Sequence, residues 1–584
     1  MARTIRTCRE FLVCVWLGGA LAIALWFAGF GASAQFVAAR DRHDGGYPPP
    51  STSWGAYLSA LHAARQKDSP RASAYFVTVT PLIQKHETLL MRALRAHILA
   101  GRMRRALDLS RRIVVLAPDH SMSRLMLALD AVNRKNYTAA RSHLDRVSGE
   151  AVNRLLLPML RAWIVLGLHN DPDLALNELI DLRNEPRFRL FLLMHTAFLL
   201  DVGGKRERAA KAYENVASAA PAASLRLTET SSNFKARTGD RVGAIRDVDR
   251  YLASNPNFTV IQVLRDRYQS GDKIGPLIGS PADGVAEVLL NVASALKDAD
   301  RAADALPFAR LAVWMRSQDS SSIFLLGSVL ERDSRYREAI SAFKRLRPTA
   351  NYNWEARKSA VVAMVSLEDF KPALATLENM AVEKPDRYDA LWLLGNVYRN
   401  RSKFELAVEA YDRAVGRIPK INRRHWNLLY VRGIALERSK QWKRAEADFL
   451  RALRLNPGQA DVLNYLAYSW VERGENLERA RKMLAAAGGK RPSDGYIIDS
   501  VGWVEYRLGN FEAAVRHLER ATELSPHDPT INDHLGDAYW RVGRRHEARF
   551  QWRRALSLNP EKADRPNIEQ KLREGMPPFK PINQ

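Results

Sequence analysis

Apolar residues recur with a helical period through most of the chain, and residues 388–419 show the unit of this pattern. Small or apolar residues follow one another at spacings of four and three in its first half, at Leu391, Gly395 and Tyr398. The same spacings occur in its second half, at Ala407, Tyr411 and Ala414. Pro419 ends the second half. The pattern predicts two amphipathic helices, and one such pair is too small to bury both apolar faces without neighbours.

The neighbours are further copies of the same pair, which return at a period of about 34 residues. The corresponding positions in two other copies are Gly433, Ala445, Phe449 and Pro457, and Gly536, Ala548, Trp552 and Pro560. Clear copies begin at residues 286, 320, 354, 388, 426, 460, 495 and 529. More degenerate copies begin at residues 53, 87 and 121, and near 155, 190 and 225.

This repeat resembles the tetratricopeptide repeat family, and the resemblance covers most of the chain. It implies an all-α fold, an α-solenoid of tandem helix hairpins that forms two superhelical arms. The last copy, "INDHLGDAYWRVGRRHEARFQWRRAL", is similar to exported envelope proteins of Gram-negative, alphaproteobacterial bacteria. Proteins of similar build act as adaptors for other envelope proteins, so the resemblance implies binding of protein partners.

The register of the repeats divides the chain into segments. A degenerate N-terminal arm is predicted at residues 53–258 and a C-terminal arm at residues 286–562. The glycines and prolines of residues 259–285 interrupt the helix stack, so we expect a hinge there. Residues 563–584 predict a capping helix and a tail, because Pro566 can start a helix and Gly575 can end one.

The first residues indicate export. Three arginines precede a mainly apolar run from Phe11 to Phe30, and the small residues Ala32, Ser33 and Ala34 follow. Residues 1–34 are therefore predicted to be a signal peptide, followed by a flexible linker at residues 35–52. The alternative is an uncleaved inner-membrane anchor, because the apolar run is long enough to span a bilayer. Either way, the repeats would face the periplasm.

Charge and cysteine content bear on the partners. The formal net charge is +25, and removing Arg3, Arg6, Arg9 and Glu10 with the leader leaves +23. In an exported protein this excess suits anionic lipid, cell-wall polymers or acidic proteins more than nucleic acid, which is not expected as a partner. The alternative is a solvated basic surface that only keeps the protein soluble. Both cysteines, Cys8 and Cys14, lie in the leader. The mature chain would have no disulfide and no cysteine nucleophile.

Motifs of enzyme chemistry are incomplete. An S-x-x-K spelling begins at Ser232, Ser294 and Ser341, but the other motifs of penicillin-recognising enzymes are missing. The histidines are scattered, and we expect His534 and His546 to be surface side chains. The chain is therefore predicted to be no enzyme, to use no cofactor and to hold no metal.

The family resemblance also implies where partners bind. In tetratricopeptide solenoids, positions 2, 5, 9 and 12 of each first helix line an inner groove. In this chain those positions are rich in aromatic, amide and carboxylate groups, which suit an extended peptide or a partner helix. The predicted partner-binding residues, called the groove residues below, are Trp392, Asn396, Tyr430, Asn464, Tyr468, Asp499, Trp503, Tyr506, Asp533, Asp537 and Trp540.

Packing between adjacent repeats is the alternative role for each groove residue. Trp503 and Trp540 lie outside the apolar packing stripe, so we expect their replacement to change stability little. The family's carboxylate clamp is not reproduced, because Trp392 stands where its lysine would be, although Asn396 is in place. A partner with a free carboxyl terminus is therefore not implied.

The combined prediction is a non-catalytic periplasmic scaffold or adaptor. It would bind other envelope proteins or peptides in its groove, in envelope or cell-wall assembly or turnover. The alternative is a binder of cell-wall polymer or of an anionic membrane surface, which would use the basic exterior.

Overall fold

A computed structural model describes residues 52–83, 85–147, 153–219, 224–255 and 258–580. Within these ranges the regular elements are thirty α-helices and three short 3-10 turns, so the all-α prediction is confirmed. The predicted signal peptide and nearly all of the predicted linker lie outside the described residues. None of the described helices combines the length and apolar character needed to cross a bilayer.

The chain forms two compact units that divide between Thr376 and Leu377. We call the described residues 52–376 the N-terminal unit and residues 377–580 the C-terminal unit. The helices of the N-terminal unit are α1 (Ser53–Arg65), α2 (Ser69–Val79), α3 (Glu87–Leu99), α4 (Met103–Leu116), α5 (Ser121–Asn133), α6 (Tyr137–Leu144), α7 (Asn153–His169), α8 (Pro172–Asn177), α9 (Arg189–Val202), α10 (Arg206–Ala219), α11 (Leu225–Arg237), α12 (Arg241–Ser254), α13 (Thr259–Gln269), α14 (Pro281–Asp298), α15 (Ala302–Met315), α16 (Ser320–Arg332), α17 (Tyr336–Lys344) and α18 (Asn353–Ser366).

The division lies inside α19 (Phe370–Glu383). The helices that follow in the C-terminal unit are α20 (Asp389–Asn400), α21 (Phe404–Gly416), α22 (Trp426–Arg438), α23 (Trp442–Leu455), α24 (Ala460–Arg473), α25 (Leu477–Lys490), α26 (Gly495–Arg507), α27 (Phe511–Leu524), α28 (Pro529–Arg541), α29 (Arg545–Ser557) and α30 (Arg565–Glu574).

Four of the helix pairs close around a glycine of the first helix and an aromatic ring of the second. The ring of Tyr411 lies against Gly395, and the ring of Phe449 lies against Gly433. A Cβ atom at either glycine would come within 3.0 Å of the ring, closer than van der Waals contact permits. Glycine at this position therefore allows the two helices to approach closely, which explains why it recurs at the repeat period.

The predicted hinge at residues 259–285 is not where the units divide. These residues lie inside the N-terminal unit, where α14 packs against α7 and α9. The ring of Trp163 lies directly on Gly284, and Asn291 Nδ2 is 3.4 Å from Nε2 of His195. Glycines and prolines do end the helices here, but α14 packs back onto earlier helices. Contacts between residues far apart in the sequence therefore hold together the helices before and after this segment.

The N-terminal unit also joins its first helices to its last ones. Lys67 Nζ lies 2.5 Å from Asp333 Oδ1, and Arg310 Nε donates to the carbonyl oxygen of Leu99 at 2.9 Å. Helix α11 runs through the interior, and every residue from 227 to 234 is buried. Arg226 at its start makes two hydrogen bonds to the buried carboxylate of Glu287, at 2.8 and 2.5 Å. The interior of this unit is thus filled by its own polar helix.

Candidate functional site

The groove residues of the C-terminal unit lie on the first helix of each pair. These helices also contact one another along the stack, in the pairs α20 with α22, α24 with α26, and α26 with α28. Their groove positions therefore lie side by side along one face of the unit. The structure distributes the eleven groove residues over two regions of this face, which differ in what already covers them.

Four groove residues are buried, namely Asn396, Asp499, Tyr506 and Asp537. Each is used inside the unit. Asn396 Oδ1 accepts a hydrogen bond from the hydroxyl of Tyr411 at 2.7 Å, across one helix pair. The hydroxyl of Tyr506 accepts from Arg541 Nε at 3.1 Å. For Asn396, Asp499 and Asp537 the packing alternative describes the geometry, because a buried side chain with an internal partner offers little to another protein.

A charged histidine joins the two last repeats. His534 Nδ1 lies 3.0 Å from Asp499 Oδ1, and its ring stacks on Trp503 with centroids 4.0 Å apart and planes at 10°. Trp503 Nε1 donates to Glu472 Oε1 at 2.6 Å. Burial by itself would lower the pKa of His534, but the facing Asp499 carboxylate outweighs burial and raises that pKa to about 9. The expectation that His534 is a surface side chain is wrong.

The capping helix occupies the acidic end of the face. Lys571 of α30 places its Nζ 2.7 Å from Asp533 Oδ1 and 2.8 Å from Asp537 Oδ1. Asp537 Oδ1 also accepts from Trp552 Nε1 at 2.9 Å. Burial, and then repulsion from Asp537, raise the pKa of Asp533 to about 6 although Lys571 opposes both. These two carboxylates are therefore engaged by the chain's own C-terminal helix.

Trp540 supports the same cap. Its ring lies so close to Gly575, the residue after α30, that a Cβ atom there would overlap it. The guanidinium of Arg545 lies over the other part of the ring, 3.8 Å from the centroid. Trp540 and Trp503 both pack against the core cluster that contains Trp552 and Leu535. The expectation that replacing these tryptophans leaves stability unchanged is therefore not supported by their contacts.

The region around α20, α22 and α24 is different, because four of its five groove residues keep part of their surface exposed. Trp392 Nε1 and Asn464 Oδ1 are both buried and make no hydrogen bond in the structure. Trp392 also lies beside Tyr388, with ring centroids 6.4 Å apart.

Aromatic rings and carboxylates lie on the helices α22 and α24 of the same region. Tyr430 meets Tyr465 edge to face, with centroids 6.2 Å apart, and the Tyr465 hydroxyl donates to Glu437 Oε2 at 3.0 Å. Burial, and then the carboxylate of Glu472, raise the pKa of Tyr468 well above its ordinary value. Tyr468 therefore stays a neutral hydrogen-bond donor at physiological pH. The middle of the face combines apolar rings with hydrogen-bond acceptors.

The sequence did not identify two residues that contribute to this face, Tyr465 and His534. Each stands at position 6 of its repeat and contacts position 5 of the preceding repeat, Tyr430 and Asp499 respectively. Comparing the chain with itself at a shift of about 34 residues aligns equal positions, so it does not show contacts between neighbouring positions of successive repeats. A search for complementary residue types one position further along would have found both pairs.

No group of three or more His, Cys, Asp or Glu side chains that could hold a metal occurs in the part of the chain that the structure describes. An open cavity in the N-terminal unit lies between α4, α5 and α6, has a volume of about 400 Å³, and is lined by residues including Arg111, Asp130 and His143. None of the groove residues lines it.

Comparisons with known proteins agree with the repeat pattern. Tetratricopeptide repeat families match residues 363–420 and 426–459, and a family described as TPR repeat matches residues 502–543. A TPR repeat-containing protein of Pseudomonas aeruginosa is 26% identical over 202 residues. That match covers 34% of this chain and 33% of the relative, so the chain spans about a third of the relative's length.

Solved structures with similar architecture are distant in sequence. The structure of the APC/C hetero-tetramer Cut9-Hcn1 matches over 90% of this chain and 97% of its own, with 12% identity and a TM-score of 0.37. Yeast Tom70 matches over 90% of this chain and 95% of its own, with 13% identity and a TM-score of 0.32. YrrB, a TPR protein with an unusual peptide-binding site, matches over 33% of this chain and 92% of its own, with 20% identity and a TM-score of 0.26.

Proposed function

We propose that this chain, in which tetratricopeptide repeat models match residues 363–420, 426–459 and 502–543, is a non-catalytic scaffold that binds partner proteins or peptides on the groove face of its C-terminal unit. The observation that carries the proposal is a group of partly exposed aromatic groove residues on that face, Trp392, Tyr430 and Tyr468. Aromatic side chains are frequent anchors of protein interfaces, where truncating one anchor costs about 2 kcal/mol or more of binding free energy.

The chemistry of the face suggests the kind of partner. Apolar rings at Trp392, Tyr430 and Tyr468 would hold apolar side chains, and the neighbouring Glu437 and Glu472 would accept hydrogen bonds or attract basic side chains. An extended segment of a partner, with some basic residues, combines these features. By holding one client here and a second component elsewhere on the chain, the protein would raise their effective concentration.

We further propose that the protein works in the periplasm, in envelope or cell-wall assembly or turnover. This proposal rests on the export pattern of residues 1–34. Its test is N-terminal sequencing of the protein purified from cells whose outer membrane has been opened. A first residue of Gln35 in the released fraction is the expected result, whereas an intact Met1 on salt-washed inner-membrane vesicles would support the anchored alternative.

Site-specific photo-crosslinking tests the scaffold itself. A photoreactive amino acid at Asn427, a groove position of α22, should trap one or a few defined proteins in cells. The same group at Val382, which is 77% exposed, is the matched control and should not trap them. Combining Trp392→Ala with Tyr468→Ala removes two partly exposed aromatic groove residues, and it should weaken trapping at least about 10-fold, as the loss of aromatic anchors typically does. Identical trapping from both positions would contradict groove binding.

Binding of cell-wall polymer or an anionic membrane surface is the second candidate function. The excess of basic residues favours this function. However, Arg544 forms ion pairs with Glu519 and Glu547, and the guanidinium of Arg545 lies over the ring of Trp540. The two functions respond differently to salt. Binding through exposed arginines should fall steeply as salt rises through the physiological range, whereas binding through buried aromatic contacts should change little.

A further inference from the structure

The chain continues beyond α30 as an extended tail, residues 575–580, that lies across the ends of α26, α27 and α28. Gly575 adopts a φ of 78°, in the left-handed region that favours glycine, and the tail leaves the helix there. The tail has no regular secondary structure in its described part. Its sequence, Gly-Met-Pro-Pro-Phe-Lys, keeps it extended because each proline fixes φ and disfavours the α conformation of the residue before it.

The side chain of Phe579 enters a small aromatic pocket. Its ring meets Phe511 edge to face, with centroids 5.0 Å apart and planes at 89°, and meets Tyr506 at 6.0 Å and 79°. Gly509, in the turn between α26 and α27, forms one wall, where a Cβ atom would lie 3.6 Å from the Phe579 ring. Edge-to-face geometry on two sides selects a flat aromatic ring over an aliphatic side chain.

Arg541 adds a polar grip beside the pocket. Its Nη1 donates to the carbonyl oxygen of Pro577 at 2.6 Å, and its guanidinium lies 5.6 Å from the centre of the Phe579 ring. Its Nε is held by the Tyr506 hydroxyl. One arginine therefore contacts both a backbone carbonyl and the aromatic ring of the residue two positions after it. Neither contact depends on the identity of the residues between them.

The tail is held lightly in comparison with the helix before it. Lys571 of α30 is buried between two carboxylates, whereas Pro577, Pro578 and Lys580 are exposed, and Met576 and Phe579 are only partly buried. Two apolar side chains and one backbone hydrogen bond thus hold residues 576–580. A segment with so few anchors can leave the pocket while α30 stays docked.

We propose that the pocket formed by Tyr506, Gly509, Phe511 and Arg541 is a peptide-binding site that the chain's own tail occupies. Its partner is an extended segment of another protein that carries an aromatic residue shortly after proline, so that it supplies the same ring and the same carbonyl. The inference rests on the proposed scaffold function and adds a partner class to it. The tail acts as an intramolecular competitor, and only a partner that displaces Phe579 gains the pocket.

Peptide binding to the full chain tests the proposal. The probe is a fluorescein-labelled peptide of sequence GMPPFKPINQ, which is residues 575–584 of this chain. Phe579→Ala in the protein empties the pocket and should raise the apparent affinity for the probe at least about 10-fold over the unaltered protein, because a tethered competitor acts at millimolar effective concentration. Adding Arg541→Ala to this variant should abolish that gain.

Matched controls separate the pocket from general effects. Arg553→Ala, an exposed arginine of α29, and Phe550→Ala, an exposed phenyl group of α29, should leave probe binding unchanged. A probe with alanine in place of its phenylalanine should not bind any variant. Thermal melting of each variant is recorded alongside. Equal affinity of the unaltered protein and the Phe579→Ala variant, or early melting of the Phe579→Ala variant without probe binding, would overturn the proposal and make the tail part of the core.

The photo-crosslinking experiment at Asn427 distinguishes the two proposals. If the probe binds as expected but no cellular protein is trapped, the pocket stands and the scaffold function fails. If a partner is trapped equally well by the unaltered protein and by the Arg541→Ala variant, while the probe binds neither the unaltered protein nor the Phe579→Ala variant, the scaffold function stands and the pocket proposal fails.

Discussion

At the scale of single residues, the repeat works through close contacts that tolerate little change. Gly536 illustrates this, because it is where α28 and α29 approach each other. Its neighbour across the pair is Trp552, which is completely buried and donates to Asp537. The same glycine and ring combination occurs at Gly327 with Phe343 and at Gly395 with Tyr411. The stability of each pair therefore depends on the absence of a side chain at one position.

Gly536→Leu should destabilise the C-terminal unit. A Cβ atom at this position would lie 2.5 Å from Trp552 Nε1, and the rest of the leucine side chain has no room, so overpacking of about 1–3 kcal/mol or more is expected. Gly416→Ala is the control, because a Cβ atom at that helical glycine meets nothing within 4 Å. It should be neutral or stabilise by up to about 1 kcal/mol. Chemical unfolding of both variants measures this, and equal stabilities would contradict the account.

His534 should make stability depend on pH in the neutral to alkaline range. Its pKa rises from 6.5 in the unfolded chain to about 9 in the folded protein. The raised folded pKa means that its stabilising contribution is fully present below pH 6.5 and is lost as pH rises through 9. The shift corresponds to roughly 3 kcal/mol. Asp533, with a folded pKa of about 6, affects stability only at lower pH. Because its pKa is raised by folding, the free energy of unfolding falls as pH rises from about 4 to 6.

The comparison of His534→Gln with His546→Gln measures this contribution. The free energy of unfolding of the unaltered protein should fall between pH 6.5 and pH 9, and His534→Gln should remove most of that fall. His546 is exposed on α29, and its replacement should leave the pH profile unchanged. If the profile of His534→Gln matched that of the unaltered protein, the ion pair with Asp499 would not have the role given to it here.

At the scale of elements, α30 differs from the helices of the repeats because no second helix pairs with it in the part of the chain that the structure describes. Helix α30 packs against α29 and projects Lys571 onto the groove face. A stacked array exposes an apolar face at each end, and a terminal helix with a polar outer side is the usual solution. Here the cap does more than cover apolar surface, because it neutralises two carboxylates that would otherwise repel each other.

Lys571→Met should therefore weaken the cap strongly. The substitution keeps the apolar stem but leaves Asp533 and Asp537 buried together without a cation, which costs about 3–5 kcal/mol when one partner of a buried ion pair is lost. Hydrogen exchange should show α30 opening before α28 and α29. The triple variant that also carries Asp533→Asn and Asp537→Asn should recover part of the loss. Lys562→Met, an exposed lysine in the preceding turn, is the control and should have no measurable effect.

At the scale of the whole molecule, the two units are built from one kind of helix pair but bury different kinds of residue inside. The interior of the N-terminal unit contains a polar helix whose charges are paired, as Arg226 is with Glu287 and as Glu229 is with the Tyr352 hydroxyl, at 2.8 Å. The groove face of the C-terminal unit instead presents partly exposed aromatic residues, among them Trp392, Tyr430 and Tyr468. This difference is why the proposed binding site lies in the C-terminal unit.

A cut at Lys273 should leave the N-terminal unit intact. Lys273 is exposed, so trypsin can reach it, but Arg241 Nη2 donates to Gly271 O at 2.8 Å before the cut and Asn233 Nδ2 donates to Gly275 O at 2.9 Å after it. Because α14 also packs against α7 and α9, the two fragments should stay associated in gel filtration and separate only in denaturant. Separation under native conditions would instead support the hinge expected from the sequence.

The sequence by itself determined the helices, their pairing and the core of each pair. Those contacts join residues close together in the chain, such as Gly395 with Tyr411, so they repeat with the sequence and can be read from it. Only the tertiary structure decided which groove positions stay available. Asp533, Asp537 and Trp540 have the composition of a binding surface, yet α30 covers them. The ring of Trp163 also meets Gly284, far along the chain, so the residues of the expected hinge are packed within the N-terminal unit. A repeat pattern reflects packing between residues that are close together in the chain. Burial by a distant segment depends on contacts between remote parts of the sequence, and no single repeat contains that information.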